Sequence, residues 1–223
     1  MVYVYQVNPR KKQSIFSSLS LNTWLIIINV FLFVVFSILI STKVLSIDSI
    51  AIKPSNIFQG EYLWAFLTSM FMHGGFFHLL VNMLSLMFIG SLVEKIIGRK
   101  RYFWFYILSG IFAGVFFVLL SLVFNVDFNS YAVGASGALF ALIGLLMLLT
   151  PNLPVYVMFI PIPIKMKYAA PGMLVLLWVI SIAGSISIGN TAHLGGLIAG
   201  LFYGFFLKIK YKNKTSYISK HFS

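Results

Sequence analysis

The sequence predicts an all-α membrane protein, a polytopic bundle of six transmembrane helices. Three observations carry this. Hydrophobic residues make up 60% of the 223 and charged residues only 9%, whereas soluble chains run at about 45–50% and about 25%. That leaves too few charges to coat a soluble surface. Six apolar stretches follow one another along the chain. Finally, the basic residues gather on one side of the membrane that six crossings define.

The stretches are Leu21–Ile40, Phe71–Val93, Tyr102–Phe124, Ser136–Leu149, Ala169–Ile188 and Thr191–Ile209. Crossing a hydrocarbon layer of about 30 Å needs about 20 helical residues. Five stretches reach that length comfortably; the fourth, ended by Pro151, is short. The first is too long for a signal-peptide core, and no small-residue cleavage site follows it, so it reads as a retained span. The segment between the first two stretches carries Ile50, Ile52, Phe58, Trp64 and Phe66, a composition suited to the membrane interface. The segment PNLPVYVMFIPIPIKMKY, with four prolines, is expected to run extended along the opposite interface.

Of 16 Lys and Arg, 14 fall on the side of the N-terminus: Arg10, Lys11, Lys12, Lys95, Arg99, Lys100, Arg101, Lys165, Lys167, Lys208, Lys210, Lys212, Lys214 and Lys220. Lys43 and Lys53 fall on the other side with Asp48, Glu61 and Asp127. The positive-inside rule therefore puts both termini in the cytoplasm of a multi-pass cell-membrane protein. The expected division is a cytoplasmic N-terminal segment over 1–20, a six-span domain over 21–209 and a basic cytoplasmic tail over 210–223. A net charge of +12 would suggest nucleic acid in a soluble chain. Here the cations lie in short clusters between apolar runs and read as anchors to membrane lipids. With no cysteine in the chain, disulfides, thiol catalysis and zinc–thiolate sites are excluded.

Polar side chains inside spans are costly and point to function. Ser136 opens the fourth stretch, His193 lies near the start of the sixth, and His78 and Asn82 stand one turn apart on one face of the second. At 1.5 Å per residue, Ser136, His193 and His78 lie about 21, 22 and 25 Å above the cytoplasmic ends of their helices. All three helices run in the same direction, so the three side chains share one level, some 5–10 Å beneath the outer boundary. Gly196, Gly200 and Gly204 form one smooth stripe, and Gly137, Ala141 and Gly144 another. Packed together, the stripes would bring Ser136 to His193, a nucleophile to its base. Taken singly, each residue has a plainer reading: serine bonding its own backbone, Asn82 as packing glue, His73 tying down a loop, His221 solvated in the tail.

Gly134-Ala135-Ser136-Gly137 opening a membrane helix, with Ala192-His193-x-x-Gly196-x-x-x-Gly200 two spans later, resembles the rhomboid family of intramembrane serine proteases. His73-Gly-Gly-x-x-His78-x-x-x-Asn82 and Glu94-Lys95 fit the same family, and the resemblance runs from about Gly60 to Gly204. It implies a six-span fold with Ser136 as nucleophile and His193 as general base. It also implies an oxyanion hole from His78, Asn82 and the Ser136 N–H, with Gly134 keeping the approach open and His73 supporting the loop. Transmembrane proteins would be its substrates, with no cofactor. One departure is visible: many members carry Trp-Arg in the first loop, where this chain has Trp64-Ala65. No acidic residue is placed to orient His193, so a Ser–His dyad is expected. The competing readings are a metal site made by His73, His78 and His193, a non-catalytic binder of transmembrane clients, and a transporter.

Overall fold

A computed structural model of the chain describes residues 19–157, 160–184 and 189–222. Six main helices organise it: α1 (Leu21–Ser41), α2 (Phe76–Ile97), α3 (Arg99–Phe124), α4 (Ser136–Leu149), α5 (Met166–Gly184) and α6 (Asn190–Lys210). All but α4 are long and apolar enough to cross a membrane. The architecture is the expected all-α polytopic bundle.

Helix α4 is its axis. Eleven of its residues are buried, and they lie on every side of the helix. An apolar helix enclosed all round by other helices belongs in a core. Helix α6 packs along α4 on the two predicted stripes. A Cβ at Gly196 would collide with the Gly137 carbonyl oxygen, and one at Gly200 with that of Ala141. From the other side, a Cβ at Gly144 would meet the Leu197 carbonyl at 2.5 Å. Only hydrogen fits at these positions, so backbone lies against backbone.

Polar contacts fasten α1, α2 and α3 at the opposite end from Ser136. Glu94 accepts hydrogen bonds from the N–H groups of Leu21 (3.0 Å) and Asn22 (2.8 Å), satisfying two of the free donors at the start of α1. The Asn22 amide donates to the Leu86 carbonyl (2.7 Å) and to Ser91 Oγ (3.0 Å), and its oxygen accepts from Tyr102 Oη (2.6 Å). Leu86 opens a π-helical turn, Leu86–Gly90, inside α2. Such a turn disturbs the regular hydrogen-bond ladder, and Asn22 supplies a donor there.

Several boundaries differ from expectation. Helix α2 starts at Phe76, because Ser69–Phe71 is a 3-10 turn and Met72 is extended. Helix α5 starts at Met166, three residues earlier than expected; residues 185–188 of the fifth stretch lie outside the described residues. The basic tail forms a further helix, α7 (Lys212–His221), whose His221 is exposed and stacks on Tyr217. Within the proline-rich segment, expected to run extended, β1 (Pro154–Val155) pairs antiparallel with β2 (Ile164–Lys165), the last three residues belong to α5, and residues 158–159 lie outside the described residues. The N-terminal segment expected over 1–20 lies almost wholly outside the described residues.

Candidate active site

Ser136 is the first residue of α4, and no side chain caps that helix. The opening N–H groups of a helix have no partners within it, so they face outward as donors. Just before it, Gly134 has φ +118° and donates its N–H to the Ser69 carbonyl (2.8 Å).

His193 lies in the first turn of α6, its N–H on the Gly189 carbonyl (3.2 Å). Its ring is 5% exposed and stacks on Phe140, with centroids 4.7 Å apart and planes at 20°. Phe140 is one turn along α4 from Ser136, so the ring resting on it is aimed at the hydroxyl. His193 Nε2 lies 2.7 Å from Ser136 Oγ. Its Nδ1 is buried and has no partner among the described residues, and no carboxylate lines the cavity.

The other residues singled out in the sequence are arranged unevenly. His78 Nδ1 accepts from the Gly74 N–H (3.2 Å), which assigns the proton of the neutral ring to Nε2. That nitrogen looks over Gly134: a Cβ built there would be 3.0 Å from it and 3.7 Å from Ser136 Oγ. His78 therefore offers a donor beside the hydroxyl. Asn82 is buried, its Nδ2 donating to the His78 carbonyl (2.8 Å), and it is not in the cavity lining. His73 is buried behind His78, with the two rings edge to face at 5.2 Å and Phe33 of α1 beyond at 6.2 Å. It braces the His78 ring and does not reach Ser136. The described residues contain no group of three or more His, Cys, Asp or Glu able to hold a metal ion.

Ser136, His193, His78 and Gly134 line a cavity of about 390 Å³. Met70, Gly110 and Ala113 also line it, and Tyr131 stands at its rim. The first loop closes one side, burying Ile52 and Ala65 against Phe117 and Val118 of α3. Ala65, where many family members have arginine, is fully buried. Other residues anchor this loop. Trp64 Nε1 donates to the Ser49 carbonyl (2.8 Å), Thr68 Oγ1 to that of Ile50 (2.9 Å), and Asp48 gathers several donors. Asn56 chiefly, then Tyr131, Ser46 and Lys53, hold the Asp48 carboxyl below its usual range against the opposing effect of its burial. The sequence reading missed this group. Tyr131 is 83 residues from Asp48, and no local pattern joins the two.

Fold and site together define a class: a polytopic helical membrane protein with a hydroxyl–imidazole pair in a cavity beneath one set of loops. Comparison with known sequences narrows it. A Rhomboid domain matches residues 60–210, and the chain belongs to the rhomboid family. It is 35% identical over 163 residues to RHOMBOID-like protein 5 of Arabidopsis thaliana, covering 72% of this chain and 48% of that one. To the Rhomboid protease GluP of Bacillus subtilis it is 31% identical over 152 residues, 67% of this chain and 27% of GluP. To the Inactive RHOMBOID-like protein 8 of Arabidopsis thaliana it is 33% identical over 144 residues, 63% and 37% of the two. The chain thus spans at most about half the length of these relatives.

Proposed function

We propose that the chain is an intramembrane serine endopeptidase that cuts transmembrane segments of other membrane proteins near the outer side of the bilayer. The observation that carries this reading is the 2.7 Å contact between Ser136 Oγ and His193 Nε2, the relation a nucleophile needs to its base. Ser136 attacks the scissile carbonyl carbon while His193 takes its proton, and His193 then returns a proton to the leaving amine. The acyl-enzyme is released by water in the same way. His78 Nε2–H and the Ser136 N–H donate to the oxyanion. Asn82 has a second N–H beyond the one given to the His78 carbonyl, so a small turn of its amide would add a third donor. Each such donor contributes roughly 2.7–4 kcal/mol where it has been measured. Gly134 leaves room for the substrate backbone, and His73 keeps the His78 ring in place.

A peptide bond inside a helix is shielded by its own hydrogen bonds, so the substrate must unwind locally. Small or helix-breaking residues near its outer boundary favour cleavage. Entry involves movement of α5 or of the segment after it. Helix α5 is 22% buried, against 39% for α6, and it carries Gly184. The serines at 185 and 187 lie outside the described residues. Both termini lie in the cytoplasm, flanking the six-span domain. The chain lacks cysteine, so a membrane-impermeant maleimide should label Lys43→Cys in intact cells but not Lys214→Cys; the reverse pattern would refute this orientation.

The test is to incubate the purified protein with a panel of single-span substrates and compare it with Ser136→Ala and His193→Ala. Wild type should cut and both variants should not. Cleavage that survives Ser136→Ala would overturn the reading. The second reading is a client-binding member without activity, favoured by the likeness to a relative named inactive. It predicts stable capture of substrates that wild type never cuts.

A further inference from the structure

We infer that Asp48 is a positioning residue: it holds Tyr131 and the residues after it as the fixed rim of the catalytic cavity, against which the substrate segment is seated. This rests on the proteolytic reading and adds to it a residue remote from the reacting atoms.

Asp48 lies in the loop between α1 and α2. Its Oδ1 accepts from Tyr131 Oη (2.9 Å) and Asn56 Nδ2 (2.8 Å), and its Oδ2 faces Ser46 Oγ at 3.2 Å. Lys53 Nζ stands 3.6 Å from Oδ1 and 5.2 Å from the Tyr131 ring centroid. One carboxylate thus joins three positions of the first loop to a single side chain of the loop that leads into Ser136. Hydrogen bonds to an ionised acceptor are roughly twice as strong as neutral ones.

The backbone beside it shows what is being held. Ile52 and Ala132 exchange backbone hydrogen bonds of 3.1 and 2.8 Å, the Ser55 N–H donates to the Phe128 carbonyl (3.0 Å), and the Gly134 N–H to that of Ser69 (2.8 Å). The residues from Phe128 to Gly134 therefore lie along the first loop and run directly into the nucleophile. Tyr131, Ala132 and Val133 line the cavity. Upstream, Asn125 and Asp127 have φ of 50° and 55°, a region that non-glycine residues visit at a cost. The tie to Asp48 adds a side-chain anchor to the backbone bonds with Ile52, Ser55 and Ser69.

The test compares Asp48→Ala, Asp48→Asn, Tyr131→Phe and the double variant Asp48→Ala/Tyr131→Phe. Cleavage of a single-span substrate by Asp48→Ala should show KM raised about tenfold, the equivalent of one good hydrogen bond, with kcat within about twofold of wild type. Asp48→Asn, which still accepts from Tyr131, should recover most of the loss. The double variant should be no worse than the worse single one. A fall in kcat at constant KM, additive losses, or no recovery in Asp48→Asn would overturn the inference. Hydrogen exchange tests the tie without any substrate: the Ala132 and Gly134 amides should exchange faster in Asp48→Ala, and unchanged rates would refute it. Absent cleavage by wild type alongside faster exchange in the variant would sink the proteolytic reading and leave the tie standing.

Discussion

Gly134 is constrained both by its backbone angle and by its neighbour. At φ +118°, with an added Cβ only 2.8 Å from His78 Cε1, the position excludes any side chain. Gly134→Ala should strain the backbone by about 1–3 kcal/mol and push the His78 ring aside. Substrate cleavage is expected to fall at least about tenfold; an Ala variant with wild-type rates would contradict this geometry. Asp48 gives a pH prediction with a definite sign. Its folded pKa lies below 3.8, set first by Asn56 and aided by Tyr131, Ser46 and the facing charge of Lys53. The stability it contributes is therefore present above that value and lost as pH falls through the lower folded one. Thermal unfolding should show wild type losing its margin over Asp48→Asn below about pH 4, and parallel acid slopes would contradict that. Ser136 and His193 were legible in the sequence because a common depth needs only the rise per residue. The role of Asp48 was not, because it depends on Tyr131, a partner that only the folded chain brings to it; nor was the bond of the Asn82 amide to the His78 carbonyl, because residue spacing does not set a side-chain rotamer.

At the scale of elements, the contact between Ser136 and His193 depends on how closely α4 and α6 approach. The stripe containing Gly196 and Gly200 lies on Gly137 and Ala141 with no room for a methyl group, and this pairing could be read from the four-residue spacing alone. Gly204 is different: a Cβ there meets side chains and no backbone, Leu148 at 3.1 Å and Leu145 at 3.4 Å. Gly200→Leu should cost about 1–3 kcal/mol or more by overpacking, and by pushing the helices apart it should abolish cleavage. Gly204→Ala should be close to neutral, since a helix gains about 1 kcal/mol on replacing glycine by alanine. Thermal unfolding in detergent with a cleavage assay checks both, and equal effects at 200 and 204 would contradict the packing. Helix starts were less legible. The hydrophobic run continues through Phe71 and Met72, and only the turn before His73 shows that α2 begins later. The contacts of Asn22 with Leu86, Ser91 and Tyr102 were also hidden, because a polar residue at the first turn of a span looks like an ordinary helix start.

For the whole molecule, composition and charge asymmetry were enough to give the bundle, since lipid imposes a length and a hydrophobicity on every crossing. The catalytic arrangement adds an expectation about rate. Among the described residues His193 has no carboxylate behind its Nδ1, and in a soluble triad replacing that acid by its amide costs about 10⁴ in turnover. The stacking on Phe140 supplies part of the lost orientation, as a fixed plane without charge. Under the proposed function, slow turnover on a membrane-embedded substrate is expected. The central claim is that Ser136 is a nucleophile made reactive by His193. Treating the purified protein with a fluorophosphonate and locating the adduct by mass spectrometry tests this most directly. The account predicts a single adduct on Ser136 that disappears in Ser136→Ala and forms far more slowly in His193→Ala. A wild-type protein that remains unmodified, or one modified equally fast without His193, would contradict it.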